Sequence, residues 1–236
     1  MSYKHTATSD VVYSQLKERI LHLELPPGAA ISEIETTAAY HISRTPVRDA
    51  FKRLEQEGLL EIRPHIGTFI SLIDLNAVSD VLYIREVLEF SVFSDLTRNE
   101  HFSDKNIRPI LEYQKKLLET DLPIQELSRS FILSDNAFHT ALFESAGRKH
   151  IIEFLYGYNS QYERFRTFIN FNGKEDIRKL YENHVQILEC IMDKDLDKLK
   201  DYIHHHLYDG FRLNREIASR YPEYFTQILN KKEAIL

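Results

Sequence analysis

One carboxylate and three imidazoles occupy positions that a helical reading turns inward. With successive residues set 100° apart, Asp135 and His139 fall on the stripe made by Phe131, Ile132, Phe138, Leu142 and Ala146. His184 falls among Ile177, Leu180, Leu188 and Ile191, and His206 shares a face with Leu199, Tyr202, Ile203, Gly210 and Leu213. Burying such groups is costly unless they are paired or coordinated. One Asp with three His is a donor set for a borderline divalent cation such as Zn²⁺, Ni²⁺ or Mn²⁺. Each histidine alone reads as a satisfied core residue, and it is the set of four that reads as a metal site. In the run "HHH", His204 points nearly opposite to His206 and is expected in solvent, as is His205.

A second pair of ionisable residues breaks an apolar stripe. Arg85 and Glu89 lie on the face of Val78, Leu82, Val92 and Leu96, where a charge is out of place. They face a cavity or each other. An inward guanidinium suits bidentate capture of a carboxylate, and a structural ion pair between helices is the competing reading. Tyr158, Tyr162, Arg164, Arg166 and Asn170 are further candidates for the pocket wall, but their faces conflict and periodicity does not choose among them. A hydrolytic metal with an open position for water is the enzyme alternative. Glu89 is the only candidate base beside it, so no catalytic residue is assigned; a metal-sensing regulator is a further alternative.

The third chemical feature is cationic. In "SRTPVRDAFKRLEQEGLL", residues 43–60, Arg44, Arg48 and Lys52 recur at a spacing of four, with Val47, Ala50, Phe51 and Leu54 on another face. Thr45 can serve as N-cap with Pro46 at the first helical position, and Gly58 is the stop. This predicts a short helix, about 45–57, that offers a basic N-terminal end to a DNA major groove.

The elements around these residues follow from periodicity and breakers. Tyr13, Leu16, Ile20 and Leu23 mark a first helix ended by Pro26-Pro27-Gly28. A second helix fits Ser32 to Tyr40, capped by Ser32 with Glu35 three residues on. "HIS", 41–43, is then a tight connection into the basic helix, and "LLEIRPHIGTFISL" reads as a hairpin turning at Pro64-His65-Ile66-Gly67. From Asp74 onward the sequence reads as helices at about 75–99, 104–120, 124–146, 148–170, 174–193 and 195–219, with Pro222 opening a tail. The expected fold is mostly α: a winged helix-turn-helix over residues 1–73 and an all-α bundle of six or seven helices over 74–236.

Composition bounds the rest. Seven Gly and seven Pro in 236 residues leave room for long helices, and 43% hydrophobic residues suffice for real cores. The lone Cys190 excludes an intramolecular disulfide and fits a reducing cytoplasm. There is no signal pattern and no apolar run of about 18 residues, so a cytoplasmic chain without a membrane span is expected. The net charge is −6, and even residues 1–71 carry eight Lys/Arg against nine Asp/Glu. DNA binding must therefore come from local geometry.

The ordered set of helix, helix, turn, basic helix and hairpin, with "SRTPVRDAFKRLEQEGLL" followed by "RPHIGTFI", resembles the winged helix-turn-helix of the GntR family of bacterial transcription regulators over residues 10–71. The resemblance implies that Ser43, Arg44, Thr45 and Arg48 contact operator DNA, with His65 and Gly67 at the wing tip. Thr36-Thr37 replace the usual Leu-Ala, and His41 stands where Gly is usual. Asp135 with His139, His184 inside "YENHVQILECI" and His206 resemble the FadR-type (FCD) ligand-binding domain over about 75–215. That implies one divalent cation held by these four residues, with a small organic acid completing its coordination. "REVLEF" is similar to the family's Arg-x-x-Leu-Glu pattern, which carries Arg85 and Glu89 into effector binding. A homodimer reading a near-palindromic operator is also implied.

Overall fold

Three helices and a small sheet build the amino-terminal part of the chain, in a computed structural model that describes residues 2–170 and 174–226. The elements are α1 (Ser2–Leu21), β1 (Ala30–Ile31), α2 (Glu33–Tyr40), α3 (Arg44–Gln56), β2 (Leu60–Arg63) and β3 (Gly67–Ile70). Apolar residues at helical spacing make the core: Val12, Leu16 and Ile20 of α1 meet Val47, Ala50, Phe51 and Leu54 of α3, and Leu59, Leu60 and Ile70 close it from the sheet side. Each Val, Leu, Ile or Phe side chain among them contributes about 1.5–3 kcal/mol when fully buried. Polar contacts fix how α1 lies on α3: Lys17 pairs with Glu57 at 2.6 Å, Arg53 with Asp10 at 2.6 Å, and the Arg53 guanidinium sits 3.8 Å from the Tyr13 ring centre.

The ends of α2 follow from local chemistry. The Ser32 hydroxyl accepts hydrogen bonds from the backbone N–H groups of Ile34 and Glu35 at 3.2 and 3.5 Å, as its position before the helix requires. At the other end His41 takes the left-handed conformation, φ 52° and ψ 42°, and its N–H returns to the carbonyl of Ala38. A Cβ is strained there. His41→Gly is expected to raise the unfolding free energy by about 0.5–1 kcal/mol, read by thermal or denaturant unfolding; a loss of stability would mean that the imidazole contributes more than the backbone strain costs.

The basic helix starts earlier than its Thr-Pro step suggests. Thr45 is not the N-cap: Ser43 holds that place at φ −76° and ψ 165°, without a side-chain cap bond, and α3 begins at Arg44. Pro46 then sits at the third helical position, which still lies in the first turn, where a backbone N–H has no intrahelical acceptor. Glu57 and Gly58, the latter at φ 69°, end the helix. The hairpin is present in the register Leu60↔Ile70 to Arg63↔Gly67, and β1 adds to its free edge through Ala30↔Phe69 and Ile31↔Thr68. β1 is too short to show a period, so only its pairing reveals it.

The second part is helical: α4 (Leu75–Arg98), a 3₁₀ turn (Asp104–Asn106), α5 (Arg108–Leu118), α6 (Ile124–Ser145), α7 (Lys149–Gly157), α8 (Ser160–Asn170), α9 (Lys174–Asp193) and α10 (Leu196–Arg220). The single helix expected over 148–170 is two, α7 and α8. Gly157, a poor helix former, and Asn159, whose carbonyl accepts the Glu163 N–H at 2.9 Å, mark the break. The helix expected at 104–120 is likewise divided, with Pro109 in the first turn of α5.

The chain divides into two units: described residues through Asn76 with those from Ala218 onward, and Ala77–Ile217. In the first, Ile73 forms a parallel bridge with Phe225, and the Ile73 N–H donates to the Tyr224 carbonyl at 2.8 Å. Residues 223–226 thus add to the first unit.

Candidate DNA-reading face and metal centre

In the first unit the apolar face of α3 is sequestered and its polar face is open. Val47, Ala50, Phe51 and Leu54 are buried, whereas Ser43, Arg44, Thr45, Arg48 and Lys52 are exposed. The four expected DNA contacts of this helix therefore occupy its solvent-facing N-terminal end. Arg48 lies 3.5 Å from Glu33 of α2 across that face, so it must exchange this partner to reach a base. At the hairpin turn Pro64, His65, Ile66 and Gly67 are all exposed. His65 has φ 62° and Gly67 φ 150°, values that an L side chain rarely adopts at the second position.

In the second unit three helices deliver the four inward residues to one point. α6 supplies Asp135 and His139 one turn apart, α9 supplies His184 and α10 supplies His206. All four are buried, and one donor atom from each lies within 4.8 Å of the others. The Nε2 atoms of His139 and His206 are 3.1 Å apart, and Asp135 Oδ1 is 3.2 Å from His184 Nε2 and 4.0 Å from His206 Nε2. Two imidazole nitrogens each about 2.0–2.1 Å from one cation, at angles between octahedral and tetrahedral, would stand roughly 2.8–3.4 Å apart. The residues present fit a divalent cation.

The surroundings aim those lone pairs inward. His184 Nδ1 is 2.9 Å from Gln114 Oε1, and His139 Nδ1 is 3.2 Å from Glu89 Oε2. With the Nδ1 protons directed at these oxygens, both rings present Nε2 as a lone-pair donor. Arg166 holds the other oxygen of Asp135, with Nη1 donating to Oδ2 at 2.7 Å and Nη2 to Asn136 Oδ1 at 3.0 Å. Oδ1 is thereby left for a cation.

Electrostatics follow the same arrangement. Burial pushes the Asp135 carboxyl up, but Arg166 and the neighbouring His184 and His139 outweigh it and hold it well below the usual carboxylate range. Burial, followed by the like charges of His184 and His139, holds His206 well below the usual imidazole value, and burial also lowers His184. Neutral rings beside an ionised Asp135 are the ligand-competent forms.

Arg85 and Glu89 face each other as well as the site. Arg85 Nε donates to Glu89 Oε1 at 2.7 Å and Nη1 to the Tyr162 hydroxyl at 2.8 Å. Nη2 is buried without a partner among the described residues. Glu89 is thus engaged by both Arg85 and His139. Of the uncommitted candidates, Tyr162 and Arg166 line the site, Tyr158 is exposed, and Arg164 is buried and lowered by burial to about 10. The Asn170 side chain lies outside the described residues. His204 departs from expectation: it is half-buried, with Nδ1 2.8 Å from Glu86 Oε1 and its ring on Tyr208. A single-helix projection contains no neighbouring α4, which supplies Glu86. His205 is exposed, as expected.

Gln114 is missing from the residues chosen by sequence, and Arg166 is among them only as a candidate for the pocket wall, not as a partner of Asp135. Gln114 interrupts the buried stripe of Leu111, Leu117 and Leu118, so the test that found the histidines applies to it as well. Arg166 shares a face with Tyr162 and Ile169, but nothing in one helix says that Asp135 stands opposite.

A winged helix-turn-helix coupled to a helical unit with a buried polar centre defines a DNA-binding regulator with a separate effector domain. Residues 8–70 match the bacterial regulatory proteins of the gntR family, and residues 80–209 match the FCD domain. The chain belongs to the FCD-containing group of the GntR family of transcriptional regulators. It is 26% identical over 220 residues to the HTH-type transcriptional repressor RspR of Escherichia coli K12, covering 92% of each chain. It is 23% identical over 204 residues to the gluconate operon transcriptional repressor of Bacillus licheniformis, covering 84% of this chain and 81% of that one. Among solved structures, a GntR regulator from Rhodococcus sp. RHA1 superposes with TM-score 0.67 at 16% identity, covering 89% of this chain and 98% of that one. E. coli McbR/YncC gives TM-score 0.59 at 19% identity, with 90% and 97% covered, so both share the fold. No described helix is long and apolar enough to cross a membrane.

Proposed function

We propose that the affinity of this regulator for its operator is controlled by a small organic acid bound at a divalent metal in the second unit. The observation that carries the reading is the convergence of Asp135, His139, His184 and His206, with oxygens of Gln114 and Glu89 behind two of the rings. On a cation that accepts five or six ligands, four protein donors would leave a position for a carboxylate, and the unpartnered Nη2 of Arg85 is a second anion donor. Asp135, His139, His184 and His206 would hold a Zn²⁺, Ni²⁺ or Mn²⁺ ion, which would supply a positive anchor for the acid. Ser43, Arg44, Thr45 and Arg48 read the operator, and His65 and Gly67 approach it from the wing. Residues 1–73 serve as the DNA-binding domain and 74–236 as the effector and dimerisation domain of a cytoplasmic homodimer, with residues 223–226 returning to pair beside Ile73 in the first unit. Two reading helices on a near-palindromic site multiply the affinity of one small module. Acid binding then changes the population of operator-competent arrangements of the two heads. No catalytic role is assigned, because Glu89, the only candidate base from the sequence, is consumed by Arg85 and His139.

The test is operator affinity measured with apo, metal-loaded, and metal-plus-acid protein. A change that requires both metal and acid supports the reading; a response to metal alone makes the metal the signal, and a response to neither removes the effector role. Arg85 gives a finer test. Arg85→Met would leave Glu89 buried without its cation, so Arg85→Lys is the informative change: it keeps the charge and loses the fork. It should weaken acid binding about tenfold, roughly 1.4 kcal/mol, with the fold and acid-free operator affinity retained. Unchanged acid binding would restrict Arg85 to its structural pair.

A further inference from the structure

The cavity that reaches the metal donors has more apolar wall than a coordination site needs. Asp135 and His206 open onto a space of about 280 Å³ whose walls include Phe131, Phe165, Ile169, Leu180 and Phe211. Phe131 and Phe165 are fully buried in the protein, and the Phe165 and Phe211 rings stand 5.5 Å apart. At the solvent end the polar lining residues pair with one another: Lys179 lies 3.9 Å from Asp176, and the His205 ring lies 3.2 Å from Asp209. A ligand held at the metal donors would share this cavity with the Phe131, Phe165 and Phe211 rings and with two carboxylates, Asp176 and Asp209, that already have partners.

Resting on the metal-anchored reading above, we propose that the effector is a monocarboxylate with a branched aliphatic or aromatic body, and that polyhydroxy acids and dicarboxylates are excluded. The single carboxylate takes the open position on the metal. The body removes apolar area from water against the Phe, Ile and Leu side chains. Tyr162, Arg166 and Asn183 are polar groups on the wall, fewer than the hydroxyls of a sugar acid, and the remaining hydroxyls would be desolvated against ring faces without partners, which selects against sugar acids. A distal carboxylate would be placed beside Asp176 and Asp209, a repulsive element that selects against diacids. The volume, about nine water molecules' share of liquid, suits a body of this small size.

The experiment is calorimetric titration of the full-length, Zn²⁺-loaded protein with 4-methylpentanoate, phenylacetate, glutarate, gluconate and 4-methylpentanamide, after the metal content has been measured. The two apolar acids are expected to bind at least about tenfold more tightly than glutarate or gluconate, and the amide, which has the body without the charge, should not bind measurably. Asp209→Lys, at the half-buried solvent end, should narrow the gap between 4-methylpentanoate and glutarate about tenfold by supplying a free cation. Tighter binding of glutarate or gluconate by the wild-type protein, or an unaltered gap in Asp209→Lys, would overturn the proposed class and leave the metal-anchored reading standing. Amide binding equal to that of the acid, or binding of no acid by zinc-loaded protein, would overturn that underlying reading and the class with it.

Discussion

His206→Ala is expected to lower divalent-metal affinity by at least about 100-fold, since loss of a ligand should exceed the 10–100-fold typical of outer-shell partners. His139→Ala and His184→Ala should do the same, because each removes one of four protein donors brought within 4.8 Å of one another. His204→Ala is the internal control: its ring pairs with Glu86 at 2.8 Å and not with the four donors, so metal affinity should stay within about twofold and only a weak, partly exposed pair is lost. Metal that binds the folded state alone stabilises it by mass action, about 4 kcal/mol at a thousandfold excess over Kd. For a unit of this size that is on the order of 10 °C in thermal midpoint. A chelator should therefore lower the midpoint of metal-loaded wild type and leave His206→Ala unmoved. A chelator-insensitive, metal-loaded wild type would make the ion peripheral, and equal impairment of His204→Ala and His206→Ala would refute the four-donor site.

Arg44→Ala and Arg48→Ala should each abolish most specific operator binding while leaving the fold intact. Both side chains are exposed on α3, opposite Val47, Phe51 and Leu54, so neither contributes to the core. A lost base contact costs about 1–3 kcal/mol, and a dimer on two half-sites loses it twice, about 2–6 kcal/mol in all. Non-specific DNA binding, dominated by phosphate contacts, should fall much less. The Arg48 pair with Glu33, 3.5 Å long and open to solvent, is a weak competitor for a base. Glu33→Gln should therefore retain operator binding. Operator titrations at several salt concentrations decide the matter: unchanged affinity and salt slope in either Arg variant would show that α3 is not the reading helix.

The inward direction of Asp135, His139, His184 and His206 was legible in single helices, because period 3.6 against an apolar stripe is a local property. So was the open basic face of α3, whose buried and exposed sides follow from the same rule. The start of that helix was less legible, since Pro46 tolerates any position in the first turn and α3 uses the third. The division into α7 and α8 was signalled only by Gly157 and Asn159, weak marks inside a strong helical period.

Tertiary structure decided what the inward groups meet. The sequence by itself determined that Arg85 and Glu89 leave solvent; only the approach of α4, α6 and α8 joined Arg85 to Tyr162 and Glu89 to His139. The same holds for Arg166 opposite Asp135, Gln114 behind His184 and His204 beside Glu86, partners 31, 70 and 118 residues apart in sequence. β1 belongs to this class too, a two-residue strand created by its pairing with β3. The physical reason is one of range: amphipathic periodicity, capping and turn chemistry act within a few residues, whereas ion pairs, imidazole orientation and strand addition depend on which distant surfaces the packed core brings together.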